Sequence, residues 1–357
     1  MLIEKPRLPV KDILLIGILP NFIKKMVYRL KGYKIGKSVS IGFGSVISGE
    51  EVAIGDHTRM GFFTIIRGKK IKIGNYVSIG STSFLDTPDI EIGDGTKINE
   101  QVFVGGLQFP DSKFIVGRNC QIMQMSFINP AKSVTIGDDS GIGGHCLIFG
   151  HTSWLSIFEG YPVDFQPIEI GNSVSVAWGA FILPGTKIGD GAVIGAQSVA
   201  NRTIPPRCIA VGFPARVVAK YPDFPIEVTE EKKVDFLKKI VNEMIASFQS
   251  SGLMCKGSEN IFEVSLPKKR AFGHRNSKFS LMVFYEDLSD DQNFINLNRT
   301  SIVLSLKRIP EQLRRLFVSK NAMWIDIERK EQSRITNDLG EEVLLFLRRY
   351  GVRFFRV

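Results

Sequence analysis

Cysteine is scarce: Cys120, Cys146, Cys208 and Cys255 are the only four in 357 residues, and no two form a CxxC pair or a metal-ligand spacing. That excludes a disulfide scaffold and fits reduced thiols in a cytoplasmic protein. Histidine is equally scarce, with four in the chain. The longest apolar run near the start, "ILLIGIL" at 13–19, stops at Pro20, far short of the about 20 residues a membrane span needs. A cleaved leader is not expected either, because Glu4 and Asp12 flank that run and no small-residue cleavage site follows. What the chain does have is an ordinary balance, 44% hydrophobic and 23% charged, which excludes disorder and leaves room for two domains. The net charge of +10 is uneven. Within residues 1–34, Lys5, Arg7, Lys11, Lys24, Lys25, Arg29, Lys31 and Lys34 face only Glu4 and Asp12, a surplus of six positive charges.

The middle of the chain is periodic. Aliphatic residues recur in groups: Ile35, Ile41, Ile47; Ile54, Met60, Ile66; Ile73, Ile79, Leu85; Ile92, Ile98, Val104; Val116, Ile122, Ile128; Ile136, Ile142, Ile148; Ile170, Val176, Ile182; and Ile188, Ile194. The step is six within a group and usually eighteen to twenty between groups. One inward aliphatic per six residues, three times per turn, describes a triangular prism of short parallel strands. The glycine after many of them (Gly36, Gly42, Gly55, Gly74, Gly93, Gly137, Gly189, Gly195) relieves the corner, where a Cβ would crowd the turn. An amphipathic helix would need apolar spacings of three and four, which are missing. A Gly-rich β-sandwich would not hold this step through eight groups.

One interval breaks the rhythm. Ile136 to Ile170 spans thirty-four residues, one coil of eighteen plus sixteen extra, and the excess follows Ile148. This excursion, 149–167, carries Trp154, Phe158, Tyr161, Pro162 and Phe165, so it reads as a folded loop that opens a cleft, with His151 at its base. A solvated loop histidine is the plain alternative. Metal binding by His145 and His151 is excluded, because residues six apart lie on adjacent faces of the prism. His57, about five coils away, is on the order of 24 Å distant at strand spacing, whereas a tetrahedral metal needs ligands within about 2.1 Å. No metal is expected.

The repeat, together with "IEIGNSVSVAWGAFILPGTKIGDGAVIGAQSVANRTIPPRCIAVGFPARVV" at 168–218, resembles the hexapeptide-repeat acetyltransferases, and within them the galactoside, maltose, nodulation-factor and bacterial exopolysaccharide O-acetyltransferases. The resemblance implies a left-handed parallel β-helix, acetyl-CoA as co-substrate, a sugar or glycan acceptor, and a homotrimer with its sites between neighbouring prisms; it implies no part for nucleic acid. It places the general base at His151 and the oxyanion-stabilising backbone amide at Trp178. By the same resemblance Ala177, Gly179, Gly195 and Ala196 line the pantetheine arm, and Arg202, Arg216 and Lys220 meet the CoA phosphates. Asn129 holds the acceptor sugar. Trp154, Tyr161 and Asp164 are candidates for stacking on and hydrogen bonding to it, with loop packing at a subunit contact as their alternative. A neutral imidazole suits the task, since a hydroxyl is a poor nucleophile until a base takes its proton.

The expected fold class is mainly β: the left-handed parallel β-helix over 35–220, a basic N-terminal segment over 1–34 and an α+β domain over 226–357. In the first segment "PNFIKKMVYRL" at 20–31 reads as a helix with Phe22, Ile23, Met26, Val27 and Leu30 on one face. It caps the open first coil, lies on anionic lipid, or does both at once, so a peripheral place at the inner face of the cytoplasmic membrane is open. In the last domain helices are expected at 229–250, about 310–318 and 338–350, and strands at 260–265, 279–286, 301–306, 322–328 and 352–357. Its Arg314, Arg315, Arg348, Arg349, Arg353 and Arg356 form a basic or simply solvated face. The function expected is acetyl transfer to a sugar hydroxyl, in a surface polysaccharide or its precursor. N-acetylation of an amino or nucleotide-linked sugar and a non-catalytic scaffold are the alternatives.

Overall fold

The computed structural model describes residues 9–258, 260–269, 274–288, 294 and 296–357; Glu4, Lys5 and Arg7 of the basic segment lie outside them. The chain forms two compact units, one running to Ile226 and the other from Glu227 to Val357.

The first unit is a parallel β-helix. Strands of two to four residues recur every sixth position and stack into three faces. The first face runs from Lys34–Ile35 to Lys187–Ile188, the second from Ser40–Ile41 to Val193–Ile194, and the third from Val46–Ser48 to Val199–Ala200. Every strand pairs in parallel with its equivalent one coil away, as Glu51 does with Lys70 and Phe84 with Phe103. The aliphatic residues at the six-residue step form one continuous core. Beside them, buried hydroxyls tie coil to coil: Thr58 Oγ1 donates to the Gly74 carbonyl at 2.7 Å and Thr64 Oγ1 to that of Gly80 at 2.8 Å.

The corner glycines answer to stacking more than to turn dihedrals. A Cβ on Gly55 would stand 2.6 Å from the Asn75 backbone nitrogen of the next coil, closer than real Cβ atoms come. The left-handed backbone at these corners belongs instead to ordinary residues two positions on, such as His57 (φ 58°) and Tyr76 (φ 56°).

Two excursions interrupt the coils. At the second, Ile136 pairs with Ile170 across the 149–167 loop. The first was not expected: Phe103 pairs with Phe127, twenty-four residues on, because 105–112 bulges from the corner between the third and first faces.

The N-terminal helix, α1 (Asn21–Leu30), crosses the open end of the first coil, and the expected apolar face divides, with Val27 packed on the core and Phe22, Met26 and Leu30 outside. Its polar side faces inward. Lys24 is fully buried and its Nζ donates to the carbonyls of Gly42 at 2.5 Å and Ser45 at 3.3 Å. Asn21 Oδ1 accepts from the Ile41 amide at 3.0 Å, and the Tyr28 hydroxyl from the Ile47 amide at 2.9 Å. Phe22, Met26 and Leu30 point to solvent, at 71, 57 and 81% exposure. The physical reason is that a terminal coil leaves a row of unpaired N–H and C=O groups, which apolar side chains cannot satisfy.

The second unit is a seven-stranded sheet with strands in sequence order from Met254–Ser258 to Phe355–Arg356. Its helices are α2 (Glu230–Ser250), α3 (Glu311–Ser319) and α4 (Asp338–Arg348). Leu237, Val241, Met244 and Phe248 form the buried stripe of α2. The expected basic face is not continuous, because Arg314 is buried and pairs with Asp326 at 2.6 Å and Glu331 at 2.5 Å, while Arg356 pairs with Glu341 at 2.6 Å. Those arginines hold the unit together.

Candidate active site

His151 begins the 149–167 loop as the chain leaves the third face at Leu147–Phe149. The loop is a short antiparallel ribbon in which His151 pairs with Phe165 and Thr152 with Asp164, closed by a turn of 3₁₀ helix at Ile157–Glu159. Gly150 anchors its base, donating its amide to the Asn129 carbonyl at 2.9 Å and accepting from the Gln166 amide at 3.2 Å. So the backbone of His151 is held by pairing with Phe165 on one side and by the Gly150 anchor before it.

Asn129 ends the third-face strand one coil below (Phe127–Asn129) and is 3% exposed. Its Nδ2 lies 2.8 Å from His151 Nε2. An amide nitrogen only donates, so Nε2 accepts from Asn129; the Ser153 amide, 3.4 Å from Nδ1, is directed at the other ring nitrogen. Ser153 Oγ lies 3.0 Å from the same Nδ1. Burial pushes the His151 pKa below its ordinary 6.5, which keeps the imidazole neutral at physiological pH. A neutral ring can act as a base once an incoming hydroxyl displaces Asn129 from Nε2. Asn129 Oδ1, by contrast, is buried without a hydrogen-bond partner. Such an orphan is costly and usually reflects an unfilled role.

The walls are aromatic. Phe165 stacks over His151 at 6.1 Å between ring centroids, and Phe149 stands at the same distance on another side. Phe109, from the unexpected 105–112 excursion, meets Phe165 edge-on at 5.0 Å and carries Lys132 over its face at 4.4 Å. Gly106 lies against Asn129: a Cβ there would come 2.6 Å from Asn129 Nδ2. The two excursions therefore meet beside Asn129 and His151. Ser153, Phe109, Phe149, Phe165 and Gly106 were not foreseen, although the doubled step from Val104 to Val116 signals the second wall.

The remaining expected residues divide among other places. Trp154 and Phe158 stand at 95 and 98% exposure on the loop, and Tyr161 at 46%, with no contact to His151. Asp164 accepts from Gln166 Nε2 at 2.7 Å. Trp178 lies at the corner between the second and third faces, not at the His151 corner, its ring 5.3 Å from that of His145. Following the third-face strand from one corner to the other covers on the order of 15 Å at strand rise. No acceptor among the described residues meets the Trp178 amide. Ala177 and Gly179 flank it, and Gly195 and Ala196 stack on the same corner one coil on, where the Gln197 amide donates to the Trp178 carbonyl at 2.9 Å. Arg216 joins this column through its pairing with Val211, whose side chain covers Gly195. Arg202 follows the last third-face strand at a different corner, and Lys220 pairs with Cys208 at the far end of the hairpin. The chain thus carries a base at one corner and an open amide with a small-residue column at another.

No protein-family model matches the chain. It is 36% identical over 126 residues to the galactoside O-acetyltransferase of Escherichia coli K12, covering 32% of this chain and 60% of that one. It is 34% identical over 115 residues to WbbJ of the same organism, a protein named for O-acetyl transfer in lipopolysaccharide biosynthesis, covering 29% and 58%. The chain thus spans a little over half the length of these relatives. Among solved structures, the polySia-specific acetyltransferase NeuO aligns with 56% of this chain and 91% of its own at 17% identity and a TM-score of 0.33. By the repeat it forms and the relatives it matches, the chain is similar to the sugar O-acetyltransferases over that repeat.

Proposed function

We propose that the protein transfers the acetyl group of acetyl-CoA to a sugar hydroxyl, in a surface polysaccharide or its precursor, with His151 as general base. The observation that supports this reading is the Asn129–His151–Ser153 cluster, in which His151 Nε2 lies 2.8 Å from Asn129 Nδ2 and Nδ1 lies 3.0 Å from Ser153 Oγ. An acceptor hydroxyl entering between Asn129 and His151 gives its proton to Nε2 and takes the hydrogen bond of Asn129 Nδ2. Its oxygen attacks the thioester carbonyl, the C–S bond breaks, and the imidazolium returns the proton to the departing CoA sulfur. Asn129 Oδ1, without a partner in the free chain, accepts from a second hydroxyl of the sugar.

The carbonyl oxygen needs a preorganised donor. The Trp178 amide is free to serve but stands at the wrong corner of its own chain, so the complete site combines His151 of one copy with Trp178 of a neighbour. That is the reason to propose a homotrimer with three shared sites. Ala177, Gly179, Gly195 and Ala196 line the pantetheine arm, and Arg216 meets a CoA phosphate as a charge-assisted pair. Arg202 and Lys220 play a smaller part.

Release of CoA thiol from acetyl-CoA with a panel of sugar acceptors tests the reading. His151→Ala should lower turnover by on the order of 10²–10⁴ while acetyl-CoA still binds, and His145→Ala should not. Mixing His151→Ala chains with chains blocked at Gly179 should restore about a quarter of the activity, because one site in four then receives both intact halves. Full turnover by His151→Ala, or acetylation of amino groups alone, defeats the proposal.

A further inference from the structure

A helix that turns its polar side to the protein must turn its apolar side out. In α1 that leaves Phe22, Met26 and Leu30 in solvent, and the helical turns before it add Leu14, Leu15 and Ile18 at 61, 70 and 51% exposure. The inward positions of those turns are Ile16 and Gly17, both buried, and the Gly17 carbonyl accepts from the Gly44 amide at 2.7 Å. So six large apolar side chains form one stripe across the end of the β-helix. Capping cannot explain them, since Asn21, Lys24 and Tyr28 already satisfy the first coil. A patch of this kind marks an interaction surface.

The charge around it selects the partner. Between residues 9 and 34, Lys11, Lys25, Arg29, Lys31 and Lys34 remain after Lys24 is buried, and Asp12 is the sole carboxylate. Two copies meeting through this stripe would bring ten cations together. A surface of anionic lipid meets both features: acyl chains take the apolar stripe and headgroups take the cations. No helix among the described residues is long and apolar enough to cross a membrane, so the segment would lie in the interface. We propose that the N-terminal end of the β-helix is a docking surface for an anionic bilayer, with Leu14, Leu15, Ile18, Phe22, Met26 and Leu30 entering the acyl boundary. The inference is independent of acetyl transfer, and its test needs no turnover.

The test is sedimentation of the full chain with vesicles of phosphatidylcholine, alone or with about one-third phosphatidylglycerol. The wild-type protein should sediment with the anionic vesicles only, and less as salt rises. A triple variant, Lys25→Gln, Lys31→Gln and Lys34→Gln, should bind on the order of 100-fold more weakly, at about fivefold per cation. Phe22→Ser, Met26→Ser and Leu30→Ser together should abolish binding even at low salt. Apart from the half-buried Lys25 these side chains are exposed, so both variants should keep the wild-type melting temperature, which checks that they fold. Failure of the wild-type chain to bind anionic vesicles overturns the proposal, as does unaltered binding by the serine variant. A drop in oligomer size on the serine substitutions, without lipid, would show that a second copy is the occupant and overturn it as well.

Discussion

Replacing Asn129 separates its work at the site from any work in holding the fold. In the reacting state its Nδ2 hydrogen bond serves a hydroxyl giving up a proton, and hydrogen bonds to charged groups are worth about 1.5–3 kcal/mol. At about 1.4 kcal/mol per factor of ten, Asn129→Ala should lower kcat/KM roughly 10- to 100-fold. Stability should scarcely move. The substitution removes one hydrogen bond, worth about 1 kcal/mol, and with it a buried acceptor left unsatisfied at about 1–3 kcal/mol. With a small cavity added, the balance lies within about 1 kcal/mol of zero. Asn129→Asp gives a second reading by pH. Only neutral His151 can act as base, so activity should rise with pH through its pKa, which burial holds below 6.5. A carboxylate beside Nε2 favours the imidazolium, so the acid limb of the kcat/KM profile should move upward in the aspartate variant. Paired thermal melts and CoA-release kinetics across pH are sufficient. If Asn129→Ala keeps wild-type kcat/KM, or loses activity only in step with a large fall in melting temperature, the role given to Asn129 is wrong.

Other perturbations follow from the same geometry. Gly106→Ala places a Cβ 2.6 Å from Asn129 Nδ2 at a backbone φ of +124°; kcat should fall, the melting temperature should drop with it, and Gly106→Val should be worse on both measures. Arg216→Ala should raise the KM for acetyl-CoA severalfold with little change in kcat, more than Arg202→Ala or Lys220→Ala, because Arg216 alone adjoins the small-residue column; equal effects at all three would refute that ranking. Lys24→Met leaves the Ser45 carbonyl unpaired and the Gly42 carbonyl with only the Ser45 amide at 3.2 Å, which should lower stability by roughly 1–3 kcal/mol in denaturant titration.

Much of the β-helix is legible in the amino-acid sequence because its core obeys a one-dimensional rule: each sixth residue is aliphatic and inside. The end of the helix obeys a different rule, and there the pattern misleads. In α1 the apolar stripe of Phe22, Met26 and Leu30 looks like a buried face, because burying apolar area is the usual driving force. The first coil, however, offers α1 a rim of amides and carbonyls, and Lys24, Asn21 and Tyr28 are the side chains able to answer them. Satisfying those groups outweighs hiding three apolar side chains. Hydropathy alone cannot display that competition, since the demand comes from the backbone of Ile41, Gly42, Ser45 and Ile47 and not from any side-chain pattern.

The site shows the same division between what spacing records and what folding brings together. His151 is legible because it sits where a regular step breaks. Ser153 is hidden two residues away, since no spacing says that a loop serine will meet Nδ1. Phe109 is hidden for another reason. It lies in an excursion of its own, and its contact with Phe165 joins two breaks in the repeat that are fifty-six residues apart. Register supplies what the sequence omits: Phe103 pairs with Phe127 and Phe127 with Leu147, so both excursions leave from the same corner two turns apart, with Asn129 on the turn between. Once stacked, the loops can only close over the residues between them, which are Asn129 and His151. A cleft thus arises from two insertions at one corner of a scaffold that has no pocket of its own, and the base is the residue at which the second insertion begins.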